Sequence, residues 1–592
     1  MRLQNERIRG GSFLLSSVSL DHLFIPEDLT DEHRMMGKMT TDFIEEEVVP
    51  RDQEIERQQF EVTVELLRQA GELGLLGADV PEQYGGAGLD KISSAVITES
   101  MVRGSSFALT LGAHVGIGTL PIVLFGTEKQ KQKYLPYLAT GKKFAAYCLT
   151  EPSSGSDALG AKTVAELNEA GTHYILNGSK QYITNAGFAD VFIVYAKVKG
   201  EKFTAFIVER EFPGLSTGPE EKKMGIKGSS TRPLILENCI VPVENVLGEV
   251  GSGHVIAFNI LNIGRFKLAI GCVGTSKWVL ELSAKYAKER KQFGKPIADF
   301  PLIKKKLAEM AVHTFATESM VYRTAGLMEE AMASIDQSEP HFGKPIAEAI
   351  EEYALECSIN KVFASEALDF IADEGVQIHG GYGYTQDYKI ERIYRDSRVN
   401  RIFEGTNEIN RLLIPATLIK RAMKGKLPLL ETVQGLQKEL ISYMPSLLEY
   451  EGPLAKEEAM VNAAKKIFLL ISGTALLKHQ QRLEAEQELL ESIANLIISI
   501  FAMESCLLRT KKCLERNDPA RHKEEMTQVF IYDAFHQLEQ TARTALASLE
   551  EGDRLQTQLS ILKKLTRFTP CNTVQLKRSI AQRILAAEKY LA

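Results

Sequence analysis

The 592-residue sequence lacks the patterns that mark several common protein classes. Its seven cysteines are odd in number and include no C-x-x-C pair, so we expect a reducing compartment rather than a disulfide framework. Its 11 histidines include no H-E-x-x-H motif and no Cys/His cluster, and we expect no metal site. A net charge of −7 argues against a general nucleic-acid binder. No uninterrupted apolar run is long enough to span a bilayer, so no transmembrane segment is expected.

The composition is that of a large globular protein. Hydrophobic residues make up 44% and charged residues 25%, which excludes wholesale disorder. Helical periodicity at both ends and strand-like runs in the middle predict an α+β fold. We expect an N-terminal helical domain (28–142), a β-barrel or sandwich domain (143–248), a helical-bundle domain (249–422) and an additional C-terminal helical domain (423–592).

The middle of the chain carries the strand signals. Runs at 172–176 and 180–184 flank Asn177-Gly178, a pair that favours a tight turn, so we predict a β-hairpin there. Further strands are predicted at 191–198, 203–208 and 234–241.

The first candidate site is the segment YCLTEPSSGSD at 147–157. A strand is followed there by a turn that is rich in hydroxyl groups and backbone donors. Such a turn can hold phosphates or a polar ring edge. A solvated Ser/Gly loop explains the composition equally simply, and no glycine-rich nucleotide motif supports the binding interpretation.

The second candidate is QIHGGYGY at 377–384. Its glycines allow a ligand to approach the backbone closely. A helix C-terminus followed by a loop is an equally good interpretation, and His379 alone is typical of a hydrogen-bonded structural histidine.

The third candidate is RIFEGTNEI at 401–409. Glu404 stands between an aromatic residue and a glycine, and burial there would raise the pKa of its carboxyl group and make it a useful base. The alternative is a loop glutamate before a helix, with Thr406 or Asn407 as the N-cap. Chemistry alone does not separate the two.

The fourth candidate is RKQFGKPI at 290–297, which closes a long helical pattern. Arg290 could bind a phosphate. The simpler interpretation is a cation that stabilises the helix dipole.

Together, these four segments and their spacing resemble the acyl-CoA dehydrogenase family of flavoproteins. PEQYGGAG at 81–88 and the segment 224–249 resemble further parts of that family, and the resemblance covers residues 30–415. The additional helical tail resembles the very-long-chain branch, in which such a tail occupies the space of a second dimer. A homodimer is therefore implied.

The resemblance implies FAD as the cofactor, bound against the β-domain. The residues implied to line FAD in the same chain are Tyr147, Thr150, Ser156, Tyr182, Ile183, Thr184, Thr406, Asn407 and Glu408. Those implied to hold the adenosine-diphosphate half of FAD bound to the partner subunit are Arg290, Phe293, Gln377, Gly380 and Gly381. Tyr182 stands where many members have tryptophan.

The resemblance also implies a fatty acyl-CoA substrate and α,β-dehydrogenation to trans-2-enoyl-CoA in fatty acid β-oxidation. Glu404 is the implied catalytic base, because the other position that carries the base in some members is Gly264. The residues implied to contact the substrate are Ser156, Asn262, Arg265, Phe403 and Gly405. Electrons would pass to an electron-transferring flavoprotein, in the bacterial cytoplasm or, in a eukaryote, the mitochondrial matrix.

Two other functions remain open. An acyl-CoA oxidase has a similar fold and an extra helical domain, although FEGTNE and TEPSSGSD look more like dehydrogenases. An assembly or interaction protein on the same scaffold is the alternative of another class, and the retained Glu404 argues against it. The apolar stretch 463–477 also leaves peripheral membrane contact open, although a core helix of the tail is favoured.

Overall fold

The computed structural model describes residues 8–16, 18–339, 341–442, 450–518 and 520–592, and for 437–442 the backbone only. Helices come first, a β-sheet follows, and two further sets of helices complete the chain, so the predicted α+β fold is confirmed. The domain boundaries at 142, 248 and 422 stay predictions.

The first set of helices is short, and side-chain caps begin several of them. Asp90 accepts a hydrogen bond of 2.6 Å from the backbone N–H of Ser93 at the start of the fourth helix, which satisfies one of the free donors at that end. The segment Ala113–Thr119 is π-helical. The helices are α1 Asp31–Phe43, α2 Asp52–Glu56, α3 Phe60–Glu72, α4 Lys91–Ser100, α5 Ser106–Gly112, α6 Leu120–Phe125 and α7 Glu128–Ala139.

The middle of the chain forms one mixed eight-stranded sheet. Its strands are β1 Ala145–Cys148, β2 Val164–Leu167, β3 His173–Thr184, β4 Val191–Val198, β5 Lys202–Glu209, β6 Leu215–Thr217, β7 Thr231–Pro242 and β8 Val246–Leu247. The order is β6-β7-β3-β2-β4-β5-β8, with β1 paired in parallel to β4. The three strands predicted after residue 190 are present as β4, β5 and β7.

The predicted hairpin at Asn177-Gly178 is wrong. The two runs form one continuous strand, β3, which pairs with β7 and has an irregular register between Leu176 and Gly178. Gly178 has φ +150°, and a Cβ there would lie 2.9 Å from Cβ of Thr163. The pair therefore marks a bulge where neighbouring backbone approaches closely, not a turn.

The second set of helices frames the site. Its members are α8 Gly253–Glu289, α9 Pro301–Met332, α10 Gly343–Glu352, α11 Ala354–His379, α12 Lys389–Ser397 and α13 Asn407–Met423. The short strands β9 Lys291–Gln292 and β10 Lys295–Pro296 form a hairpin between α8 and α9. The isoleucines expected to share one face of α8 (Ile256, Ile260 and Ile263) are buried.

The tail is helical, as predicted. It comprises α14 Leu429–Ser442, α15 Ala455–His479, α16 Gln487–Glu515, α17 Arg521–Leu549, α18 Gly552–Leu565 and α19 Thr573–Ala587. Arg323 of α9 donates hydrogen bonds to Glu504 and Ser505 of α16, at 2.7 and 3.1 Å, in the buried contact between tail and bundle.

Four helical segments of the described chain are long and apolar enough to cross a membrane, by length and composition alone. The absence of an uninterrupted apolar run therefore does not by itself exclude helices of membrane-spanning length and composition. Between 61% and 78% of each apolar window is buried inside the protein. The stretch 463–477 belongs to α15, where Ile467, Phe468 and Ile471 lie in the core, as the core-helix interpretation expects.

Candidate active site

A cavity of about 250 Å³ lies between α4, α5, the π-helical segment and α8. Apolar side chains such as Ile97, Met101 and Leu268 form much of its wall. Glu404 and Thr184 border the same space. The predicted base and one predicted flavin contact therefore share one apolar pocket, the usual setting for a small-molecule site.

The loop that carries Glu404 has an unusual backbone. Glu404 has φ +57° and Gly405 has φ +78°, a left-handed conformation that a residue with a side chain rarely adopts. Arg265 Nε donates a hydrogen bond of 3.1 Å to the Glu404 carbonyl, and Asn410 Nδ2 donates one of 2.8 Å to the Gly405 carbonyl. These contacts fix the direction in which the carboxylate leaves the backbone.

The same loop also caps a helix. Thr406 Oγ1 accepts a hydrogen bond of 3.3 Å from the N–H of Ile409, and α13 begins at Asn407. The two interpretations of this motif are therefore compatible: Thr406 is the N-cap, and Glu404 faces a cavity two residues before it.

The Glu404 carboxylate lies against Gly264 of α8. A Cβ at position 264 would be 2.6 Å from Cδ of Glu404 and 3.0 Å from Oε1. A side chain there would displace the carboxylate from its present position. The two positions considered for the base thus face each other, and only one of them carries an acid.

Burial sets the proton affinity of Glu404. Its Oε2 atom is buried without a hydrogen-bond partner in the described structure. Burial raises the pKa of the carboxyl group from 4.5 to about 7, although the positive charges of Arg265 and Lys361 act in the opposite direction. A carboxyl group with this pKa can accept a proton near neutral pH.

Lys361 of α11 is a site residue that the sequence analysis missed. Its Nζ donates hydrogen bonds of 2.8 Å to the Gly405 carbonyl and 2.7 Å to Oδ1 of Asn407. Burial lowers the pKa of Lys361 to about 8, against the attraction of Glu404. The sequence feature that could have indicated Lys361 is a lysine within the largely apolar pattern of α11, because a buried cation needs hydrogen-bond or charged partners.

Asn407 belongs to this internal network. Its side chain also donates to Ser365 Oγ at 3.1 Å and to Oε1 of Glu366 at 3.0 Å. The following Glu408 is exposed. The FAD contacts predicted for Thr406, Asn407 and Glu408 stay predictions, and the structure shows that Asn407 anchors the start of α13.

On the sheet side, the turn after β1 is built on a buried ion pair that the sequence analysis missed. Glu151 accepts hydrogen bonds from Nζ of Lys180 (2.7 Å) and from the backbone N–H of Thr163 (3.0 Å). These contacts hold the turn in place, while the predicted contact residues Thr150 and Ser156 are partly and fully exposed, respectively. Hydroxyl groups held in this way are available to a ligand.

The predicted flavin-stacking segment lies at the end of β3. Tyr182 has φ +60° and is 64% exposed, whereas Ile183 is buried and Thr184 borders the cavity. The register of β3 shifts here, between Lys180 and Ile183. Such a bulge re-aims side chains, and the Tyr182 side chain here is exposed.

Tyr147, Asn262 and Arg265 lie outside the wall of this cavity, and hydrogen bonds hold their side chains. The Tyr147 hydroxyl donates to the Ala257 carbonyl at 3.5 Å. Arg265 Nη1 donates to Oδ1 of Asn262 at 3.0 Å, and both side chains are buried. Phe403 borders the cavity. The contacts predicted for these residues, Tyr147 with FAD and Asn262, Arg265 and Phe403 with the substrate, stay predictions.

The second and fourth motifs meet at a different place. The Arg290 guanidinium lies 5.4 Å from the centre of the Tyr382 ring, next to Gly380 (φ +61°) and Gly381. The C-terminus of α8 lies 25 residues beyond Gly264, about 38 Å along the helix axis. Arg290, Phe293, Gln377, Gly380 and Gly381 therefore form a separate surface, far from the Glu404 of the same chain.

His379 has the structural role expected of it. Its Nδ1 pairs with the Gly375 carbonyl at 2.7 Å, and its ring stacks on Tyr286 with centroids 4.2 Å apart. The sides of this surface are apolar and open: Phe293 is 92% exposed and Tyr384 is 88% exposed.

The residues present fit an isoalloxazine ring and its substrate. The space beside Thr184 is apolar, the Tyr182 side chain is exposed, and Glu404 borders the same cavity. In the described residues, no group of three or more His, Cys, Asp or Glu side chains could hold a metal ion.

Comparisons with known proteins agree with this geometry. Four family profiles match: "Acyl-CoA dehydrogenase, N-terminal domain" at 30–142, "middle domain" at 146–239, and two described as "C-terminal domain" at 251–419 and 463–564. The second C-terminal match falls on the additional helical tail.

Individual relatives cover most of the chain. A probable acyl-CoA dehydrogenase of Bacillus subtilis (strain 168) is 59% identical over 584 residues, 98% of either chain. The human mitochondrial very long-chain specific acyl-CoA dehydrogenase is 38% identical over 482 residues, 77% of this chain and 71% of that protein. A Bacillus anthracis acyl-CoA dehydrogenase, crystallised in complex with FAD, superposes with a TM-score of 0.98 at 57% identity, covering 99% of this chain and 100% of that one.

The resemblance drawn from the four motifs is confirmed, and the chain belongs to the acyl-CoA dehydrogenase family of FAD-dependent oxidoreductases.

Proposed function

We propose that the chain oxidises fatty acyl-CoA to trans-2-enoyl-CoA, with Glu404 as the catalytic base, as a step of fatty acid β-oxidation. One observation carries the proposal: a buried carboxylate without a hydrogen-bond partner lies in the wall of an apolar cavity. A buried carboxyl group with a raised pKa in a cavity is typical of a functional site, because burying its charge costs stability.

The protein must make a weakly acidic C–H bond reactive. Glu404, with its pKa near 7, is ionised in a large fraction of molecules at neutral pH and would accept the α-proton at its carboxylate. The backbone N–H of Glu404 would donate to the thioester oxygen, where negative charge develops. FAD supplies the acceptor for the hydride that leaves the β-carbon.

The residues around Glu404 fix the orientation of the base and reduce its contact with water. Arg265 donates to the Glu404 carbonyl, and both Asn410 and Lys361 donate to the Gly405 carbonyl. The apolar cavity wall excludes water, which strengthens each electrostatic contact within. Tyr147, Thr150, Tyr182, Ile183 and Thr184 would hold FAD on the sheet side.

A homodimer is part of the proposal. Arg290 and Phe293 lie about 38 Å from Gly264 along α8, so they cannot complete the cofactor site of their own chain. Phe293 and Tyr384 are 92% and 88% exposed. This exposure supports an interface in which a second copy or its FAD covers the two side chains. Each FAD site would then need two chains.

We further propose an electron-transferring flavoprotein as the electron acceptor. The FEGTNE and TEPSSGSD segments support a dehydrogenase rather than an oxidase, because they look more like those of dehydrogenases. The placement in bacterial cytoplasm stays a prediction.

The test is anaerobic addition of acyl-CoA to the flavin-loaded wild-type protein. The proposal predicts loss of the yellow flavin absorbance and formation of enoyl-CoA, with little peroxide when air is admitted. Rapid peroxide formation would favour the oxidase, and a flavin that stays oxidised with every acyl-CoA would favour the interaction protein.

A further inference from the structure

The catalytic cavity extends well beyond Glu404 along one face of α8. The α8 residues in its wall recur every three or four positions, so they lie on the same side of the helix. They include Gly264, Leu268, Gly271, Cys272 and Thr275. From Gly264 to Thr275 the helix advances about 16 Å along its axis. The cavity therefore reaches far past the position of the proposed base.

The opposite wall comes from α5 and the π-helical segment, where Gly112 and Gly116 border the same cavity. This wall lies close to α8. A Cβ on Gly116 would be 3.5 Å from Cδ of Lys267. Further along α8, a Cβ on Gly274 would be 2.9 Å from Cγ1 of Val102, which precedes α5. The cavity is thus a channel between α8 and the segment that faces it.

The position of Glu404 fixes the direction in which a substrate chain would extend. Its carboxylate lies against Gly264, so the reacting carbon atoms must also lie there. None of the α8 residues before Gly264, all of which the structure describes, borders this cavity, whereas Gly271 and Thr275 do. The remainder of an acyl chain would therefore run along α8 toward Thr275.

The channel suits a hydrocarbon chain. Apolar side chains such as Met101 form much of its wall. The hydroxyl groups of Thr98 and Thr275 each donate to the carbonyl four residues earlier in their own helices, at 2.8 and 2.9 Å. The ammonium group of Lys267 is paired with the carboxylate of Asp79 at 2.6 Å. These polar groups are already bonded, so they do not need a polar group of a ligand.

Two glycines keep this channel open from opposite sides. A Cβ on Gly271 of α8 or on Gly112 of α5 would meet no atom within 4 Å in the described structure outside its own stretch of helix. Neither residue has a positive φ, so neither the backbone nor a neighbour requires glycine there. Glycine is also less stable than alanine within a helix. What the two positions share is that each borders the channel.

We infer that Gly271 is a specificity-determining residue, whose missing side chain keeps the channel open to acyl chains of about 14 carbons. The inference rests on the proposed function, because the substrate must be an acyl-CoA. An extended chain advances about 1.2 Å per bond, since an extended residue spans roughly 3.5 Å over three bonds. The distance of roughly 16 Å from Gly264 to Thr275 therefore holds about 13 bonds beyond the α-carbon.

A side chain at position 271 would block only those acyl chains that reach it. Gly271 lies about 10 Å beyond Gly264 along α8, which is the length of about eight or nine bonds. Hexanoyl-CoA ends short of this point, whereas hexadecanoyl-CoA extends past it. The first substrate therefore reports on the reaction, and the second reports on the channel as well.

The test is kcat/KM for straight-chain acyl-CoAs from hexanoyl to hexadecanoyl, measured with the flavin-loaded wild type and Gly271→Leu. The wild type should oxidise hexadecanoyl-CoA at least as efficiently as hexanoyl-CoA. In the variant, kcat/KM for hexadecanoyl-CoA should fall about a hundredfold, because several methylene groups no longer fit, and the value for hexanoyl-CoA should change little. Gly112→Leu should have the same effect from the opposite wall. Gly435→Leu, at an exposed position of α14 where an added Cβ also meets no atom, is the matched control and should keep the wild-type profile.

A Gly271→Leu profile equal to that of the wild type would overturn the inference, and so would an equal loss for both substrates. Flavin absorbance and thermal unfolding establish that each variant is folded and loaded. If Gly271→Leu loses its flavin, Gly271→Ala is the milder substitution and should lower the hexadecanoyl-CoA value in the same direction. Loss of flavin from Gly271→Ala as well would mean that the cofactor occupies this space, which contradicts the inference. A wild type that oxidises no acyl-CoA refutes the proposed function, whereas one that oxidises hexanoyl-CoA but not hexadecanoyl-CoA refutes only the role of Gly271.

Discussion

Replacing Glu404 by glutamine should stabilise the flavin-free protein at alkaline pH. Burial raises the pKa of this carboxyl group from 4.5 to about 7 in the folded protein, although Arg265 and Lys361 oppose the rise. At about 1.36 kcal/mol per pH unit, the difference corresponds to roughly 3 kcal/mol in favour of the protonated form. Above pH 7 the folded protein bears this cost, because the carboxylate is charged and buried.

The sign follows from proton binding. Below about pH 4.5 the group is protonated in both folded and unfolded chains, and burial of charge has no cost. Between 4.5 and about 7 the folded chain binds more protons than the unfolded one, so the free energy of unfolding falls as the pH rises. Glutamine never ionises. The stabilisation by Glu404→Gln should therefore grow across this window and level off above pH 7.

The assay is thermal unfolding of flavin-free wild type and variant at about pH 5 and pH 8, reported as the difference in Tm between the two proteins. Glu61→Gln, at an exposed position of α3, is the matched control and should show no such pH dependence. A Glu404→Gln difference that is the same at both pH values would refute the reasoning, because the carboxyl group would then not be held in a desolvated site.

Three further predictions concern the same site. Gly264→Ala places a Cβ against the Glu404 carboxylate, so kcat/KM should fall by about a hundredfold while flavin absorbance is retained; normal turnover would contradict the packing argument. In the wild type, kcat/KM should rise with pH and level off above about 7 as Glu404 loses its proton; a flat profile from pH 5 to 9 would contradict the assignment. Arg290→Ala should lower the flavin content of the purified protein without changing that pH profile, and full flavin occupancy would argue against the role of Arg290 at the partner's cofactor.

Much of the fold could be predicted from local patterns. The apolar periodicity of α8 and the runs that became β4 and β5 are properties of short segments. The hairpin predicted at Asn177-Gly178 was wrong because pairing with a distant strand decides the structure there. β3 continues through the pair to match β7, and the close approach of Thr163 requires a glycine at 178. A local turn signal contains neither fact.

The site was predictable where its chemistry lies within one motif. Glu404 and Thr406 both belong to the segment 401–409. In the structure, Glu404 has a buried carboxylate oxygen and Thr406 caps a helix. Lys361 and the pair of Lys180 with Glu151 were missed, because their partners are 29 to 46 residues away in the sequence. The cavity itself exists only once α4, α5 and α8 pack, so no segment could indicate its wall.

Stopped-flow mixing of flavin-loaded Glu404→Gln with acyl-CoA, in the absence of oxygen, tests the central claim most directly. The account predicts that the variant binds flavin and acyl-CoA but reduces its flavin roughly 10²- to 10⁴-fold more slowly than the wild type, the usual effect of losing a general base. Flavin reduction at the wild-type rate would contradict the assignment of Glu404 as the base.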